Sequence, residues 1–160
     1  MPTLSDNDAT RQLAGFLAKF TPEIEARAHA IIARMRQRLP GATIPVYDNY
    51  NALAVGFGSS DRVSDVIFSI AVFPRWVSLF FVGGPKLDDP KGLLKGQGST
   101  VRHIALAGPE SLDDPDVIAL MDQGLTLAKT PIDPAAPGGL VIKSISAKQR
   151  PRRPGDHSTS

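Results

Sequence analysis

Residues 66–82, VIFSIAVFPRWVSLFFV, divide into two apolar runs, Val66 to Phe73 and Trp76 to Val82, joined by Pro74-Arg75. Both runs are rich in β-branched and aromatic residues, the types that suit a pleated surface. Both are apolar on either face, which predicts strands at the centre of a sheet. A two-residue connection leaves room only for an antiparallel hairpin.

Working outward toward the N-terminus, the period shortens to two or to brief apolar runs. Thr43 to Tyr47 reads as a strand, placed at an edge because Pro45 has no N–H to give a central ladder. Leu53, Val55 and Phe57 alternate with Ala54 and Gly56 in a second strand. Before these the period is helical. Leu13, Phe16, Leu17 and Phe20 share one face of a first helix from about Asp8 to Phe20. Thr21 can cap a second, Pro22 suits its first position, and Glu23 and Glu25 favour its positive end. Ile24, Ala28, Ile31, Ile32, Met35 and Leu39 form its apolar stripe, and Pro40-Gly41 ends it.

Toward the C-terminus, Arg102, Ile104 and Leu106 share one face of a fifth strand, with His103 and Ala105 on the other. Asp114-Pro115-Asp116 then starts a last helix that buries Val117, Leu120, Met121, Leu125 and Ala128. The order helix, helix, five strands, helix predicts an α+β fold: an antiparallel sheet with helices packed on one face. In such a sheet there is no switch point between parallel strands to mark a nucleotide site.

A chain of 160 residues is expected to form one domain, here 1–142, followed by a basic tail, 143–160. That tail carries Lys143, Lys148, Arg150, Arg152 and Arg153 against one acid, Asp156, so the formal charge of +2 leaves the body near −2. With Pro, Ser and Arg and no aromatics, the tail is expected to be mobile after about Ile145. Its functional reading is an arm for an acidic partner; its composition fits a solubilising terminus better, and nucleic acid is not expected as a partner. The absence of cysteine excludes disulfides, thiolate metal sites and cysteine nucleophiles. Together with a polar start and no run long enough to span a bilayer, it leads to a cytoplasmic expectation with no membrane partner.

Between the fourth and fifth strands lies the most unusual connection, GGPKLDDPKGLLKGQGST, residues 83–100, with five glycines, two prolines and three lysines. Gly83, Gly84, Gly92, Gly96 and Gly98 allow positive φ and outward-turned N–H groups, the way concave anion sites are built. Lys86, Lys91, Lys95 and Arg102 would add charge, and Ser99 and Thr100 hydroxyl donors. It is not a phosphate-loop motif, because the Lys-Ser/Thr pair is missing. Tyr47 and Tyr50 sit awkwardly in a dry core, since each hydroxyl needs a partner, so with Trp76 they are expected to line a cleft beside the loop.

Val77 to Phe81, Leu87-Asp88-Asp89-Pro90, Gly92-Leu93-Leu94, Gly96, Gly98 and Arg102-His103-Ile104 resemble the YdhG-like family of bacterial domains of unknown function, over roughly residues 16–129. The resemblance implies a small α+β domain, in a family some of whose members are described as frataxin-like iron chaperones.

Oxygen ligands for a hard cation exist at Asp88 and Asp89, and again from Glu110 through Asp113 and Asp114 to Asp116. Both Asp-Asp-Pro units also suit helix or turn starts. His29, His103 and His157 have no paired ligand spacing, and the four arginines of the second helix argue against iron. No nucleophile elbow or metalloprotease helix is present, so no enzyme and no cofactor is expected. The sequence therefore points to a non-catalytic binding domain for a small polar or anionic ligand. Its predicted site residues are Tyr47, Tyr50, Trp76, Lys86, Lys91, Lys95, Gly96, Gly98, Ser99, Arg102 and His103. The alternatives are a divalent-metal chaperone using Asp88 and Asp89, or an interaction module acting through the tail; a homodimer through the Pro45 edge is allowed for.

Overall fold

Three helices and a six-stranded mixed sheet make up the computed structural model, which describes residues 6–154. Helix α1 spans Asp6–Leu17 and α2 Pro22–Arg38; β1 Thr43–Asp48, β2 Leu53–Gly58, β3 Val66–Val72, β4 Val77–Val82 and β5 Val101–Leu106 follow, then α3 Pro115–Leu127 and β6 Gly139–Ile145. The strand order is β5-β4-β3-β2-β1-β6. Among the described residues no helix is long and apolar enough to cross a membrane.

The hairpin forms as its pattern requires. β3 and β4 pair antiparallel with Phe68 opposite Phe81, Ile70 opposite Leu79 and Val72 opposite Val77. Period two then puts all six on one face, with Leu53, Val55 and Phe57 of β2 and Ile104 and Leu106 of β5 in register beside them. This face and the apolar stripes of the helices form one buried cluster. Phe68 and Phe81 meet edge to face at 5.7 Å, an arrangement that contributes about 0.5–1.5 kcal/mol beyond area burial. Mid-helix Gly124 lets α3 close on the Phe68 ring, because a Cβ there would lie 3.1 Å from it.

Helix starts follow the capping chemistry. Thr21 Oγ1 accepts from the Ile24 N–H at 3.3 Å with Pro22 at the first turn, and Asp114 accepts from the Asp116 N–H at 2.8 Å ahead of α3. Helix α1 stops at Leu17, three residues earlier than its apolar period, and a tight turn carries Phe20 into the core.

Two expectations need correction. The sheet is mixed, not antiparallel throughout, because β6 adds a sixth strand parallel to β1. Consequently β1 is not an edge: it lies between β2 and β6, and Pro45 only leaves one donor out of a ladder whose register shifts between Val46 and Tyr47. The region read as a loose tail from Lys143 thus begins with the last residues of β6 and continues to Pro154 against the body. Asp156 and His157 lie outside the described residues.

Candidate functional site

The glycine- and lysine-rich connection is tied down by its own backbone. Gly83, at φ 80°, donates its N–H to the Thr100 carbonyl at 2.6 Å, closing the loop at its base. Lys86 and Leu87 donate back to Gly83 and Gly84, and Leu87 enters the core. Asp88 exchanges two hydrogen bonds with the Gln123 amide of α3, donating at 2.7 Å and accepting at 2.9 Å. Both carboxylate oxygens of Asp89 accept main-chain N–H groups, from Leu93 and Leu94, each at 2.9 Å. Lys95 and His103 exchange a pair of main-chain bonds, so the loop returns as a short cover on the free edge of β5.

The sequence-predicted residues therefore do not surround one hollow. Lys91 pairs with Asp116 at 3.0 Å, and the hydrogen bond from that pairing holds its ammonium pKa above the ordinary value. Lys91 borders a small pocket by α3 with Asp88 and Asp89, whereas Lys86 borders another between β3 and the end of α3. Arg102 donates to the carbonyl of Gly98, and Gly96, at φ 109°, lies against His103. His103 stacks on Phe80 at 5.0 Å on the face of the sheet opposite Leu79, while Lys95, Gly98 and Ser99 are exposed. Tyr47 lies on that same opposite face, and its hydroxyl is buried without a partner. Trp76 immediately precedes β4 and Gly83 follows its end, so the six-residue strand separates them by about 20 Å. That length is why Trp76 and the loop cannot share a small ligand.

The carboxylates are occupied structurally. Asp113 receives Arg34 and Arg38 of α2; the hydrogen bond from Arg34, then that from Arg38, outweighs desolvation and lowers its pKa, and the same contact raises that of Arg34. Among the described residues no group of three metal-ligating side chains converges. Because Asp89 caps two amides, Asp89→Ala should cost about 1–2 kcal/mol in urea unfolding, close to the loss of a helix cap. An unchanged midpoint would mean that the turn does not depend on the carboxylate.

A larger concavity of about 520 Å³ lies at the other end of the sheet. One wall is the β3–β4 turn, Phe73, Pro74, Arg75 and Trp76, closed by a 2.9 Å bond from the Phe73 N–H to the Trp76 carbonyl. The other is Arg150, Pro151, Arg153 and Pro154, with Asn51 between. The Trp76 ring stacks on Phe73 at 4.7 Å and remains 45 % exposed, leaving an aromatic surface available. Arg150 lies over the ring of Tyr50 at 5.6 Å, and its N–H donates to the Tyr50 carbonyl at 2.9 Å. Arg153 donates to the carbonyls of Lys19 and Ala18 just beyond α1. Among the described residues, three guanidinium groups and no carboxylate line this groove.

The second wall belongs to residues 146–154, a strap latched beneath by a buried ion pair. Asp48, at the end of β1, is fully buried; its Oδ1 accepts from Arg152 at 2.8 Å and its Oδ2 from Lys19 at 2.8 Å. Gln149 bridges the Asp48 carbonyl and the Lys19 ammonium, and Arg152 also donates to the Asn49 carbonyl at 2.6 Å. Arg152 is 5 % exposed and lies over Phe20, with its Nε left without a partner, a defect that costs about 1–3 kcal/mol. Of the residues in or beside this groove, the sequence reading named Trp76 and Tyr50 as site residues, and not Arg75, Arg150, Arg153 or the latch. Prolines alternating with arginines in the strap were a signal for a stiff, charged wall.

Comparison with known proteins yields no family model, no curated protein and no solved structure that matches this chain.

Proposed function

We propose that the protein binds a small anionic ligand carrying a flat apolar group in the groove between the Phe73–Trp76 turn and the strap. The observation that carries this reading is the lining itself, where an exposed tryptophan face stands among Arg75, Arg150 and Arg153 with no acid among the described lining residues. A guanidinium is planar, always charged and suited to bidentate contact with carboxylate or phosphate. The volume falls within the roughly 300–1,000 Å³ of small-molecule sites. Binding rather than catalysis is proposed because, among the described residues, the lining offers no carboxylate, histidine or hydroxyl to move a proton near neutral pH. A route through the glycine loop has weaker support, since its amides are consumed internally. Membership of the YdhG-like family is proposed only on the resemblance of the motifs between Val77 and Ile104.

Trp76 is the sole tryptophan, so its emission reports on this groove directly. Titration with phenyl phosphate should shift or quench it with a Kd of about 1 mM or tighter, equivalent to about 4 kcal/mol. Inorganic phosphate, lacking a ring, should bind more weakly. Arg75→Ala should weaken binding about tenfold, near 1.4 kcal/mol, and added salt should weaken it in both proteins. If aryl phosphates, sulfonates, carboxylates and nucleoside monophosphates all leave Trp76 emission unchanged, the assignment is wrong.

A further inference from the structure

We infer that the strap, residues 146–154, is a gate on this groove, closed by the ligand from outside as Asp48 closes it from beneath. The inference rests on the ligand reading above and adds its control. Side chains of this short segment divide between two surfaces. Gln149 and Arg152 point inward to the latch at Asp48, whereas Arg150, Pro151, Arg153 and Pro154 form a groove wall. The groove has that wall only while the latch is engaged. Lys148, Arg150, Arg152 and Arg153 put four cations on nine residues, with Lys19 at the latch and Arg75 across the groove. Among the described residues one carboxylate, Asp48, ion-pairs with the strap. Mutual repulsion therefore favours release, and an anion held between Arg75, Arg150 and Arg153 offsets it. Because the ligand gains a wall only in the closed state, it must favour closure, and closure must raise its affinity by the same factor.

Trypsin reads the open state. Lys148 and Arg152 are cleavable positions, while Arg150 and Arg153 precede proline and resist; Arg152, being buried, becomes available only on opening. Saturating phenyl phosphate should slow cleavage after Arg152 severalfold, whereas potassium chloride of equal ionic strength should not. Asp48→Asn should speed that cleavage about a hundredfold without ligand and raise the apparent Kd, read from Trp76, in proportion to the closed fraction lost. Arg152→Ala, which removes no groove-lining side chain, should do the same with cleavage after Lys148 as the readout. Circular dichroism identifies any variant that fails to fold, and Arg152→Lys is then used in its place. The gate is overturned if phenyl phosphate perturbs Trp76 yet leaves strap cleavage unchanged, or if the folded latch variants bind as tightly as the parent chain. Silence of Trp76 toward every aromatic anion removes gate and binding site together, and that emission signal separates the two failures.

Discussion

Asp48→Asn is expected to lower stability by about 3 kcal/mol at neutral pH, measured by urea unfolding. Removing one member of a buried pair commonly costs about 3–5 kcal/mol, because the partner charge stays buried without compensation. Arg152 is that partner here, its side chain 3 % exposed. The low end applies because Lys19 is 41 % exposed, so its share is screened by water. Burial taken alone pushes the Asp48 carboxyl pKa up; the hydrogen bonds from Lys19, Gln149 and Arg152 together outweigh it and hold the pKa below the ordinary carboxylate value. A depressed acid contributes its full stability above the unfolded-state value, near 4, and loses it as pH falls through the folded value. The difference between the two proteins should therefore be greatest at neutrality and shrink from about pH 4 downward. Equal urea midpoints at pH 7 would show that the carboxylate charge is dispensable.

Gly41→Ala should cost about 2–5 kcal/mol and act first on β6. Gly41 has φ 82°, and a Cβ built there lies 2.0 Å from the Asp133 carbonyl oxygen and 3.0 Å from the Pro134 Cα. These are main-chain atoms, so no rotamer change relieves them. The left-handed conformation alone costs a residue with a Cβ about 1–2 kcal/mol, and forced overpacking adds about 1–3. Gly138 presses back from the other side, its added Cβ lying 2.4 Å from the Ala42 carbonyl oxygen that receives the Gly139 N–H. Hydrogen exchange should then show β6 amides losing protection while β3 and β4 keep theirs. Gly83→Ala is the control: its φ is 80° but nothing lies within 4 Å, so only the conformational cost of about 1–2 kcal/mol applies. If both variants lose the same stability, the close approach at Gly41 is not what seats β6.

What the sequence revealed, and what it hid, follows the range of the forces involved. Residues 66–82 specify a hairpin through contacts only a few positions apart, and period and caps place the helices within about three residues. The strand at Gly139–Ile145 has the same kind of signal in Leu140 and Ile142, but it is short and runs into basic residues. Its pairing with β1 depends on a crossover of the whole sheet, which no local pattern encodes. The hydroxyls of Tyr47 and Tyr50 made both legible as cleft candidates beside Trp76, yet only Tyr50 and Trp76 are exposed, and the Tyr47 hydroxyl is buried. The ion pair of Asp48 with Arg152 was not, since the partners are 104 positions apart and a run of cations by itself resembles a solvated end. The glycine loop misled for the converse reason: Asp89, Gln123 and the Lys95–His103 bridge consume donors that glycine spacing suggested were free.

The latch also fixes when the molecule can finish folding as it leaves the ribosome. Lys19 and Asp48 emerge early, yet the guanidinium that completes their cluster follows about a hundred residues later. Until then a carboxylate meant for the interior must stay hydrated, and the corner joining α1 to the end of β1 has to remain ajar. Synthesis thus proceeds with Lys19 and Asp48 waiting on a segment delivered about a hundred residues after them, and that segment acts as the clasp.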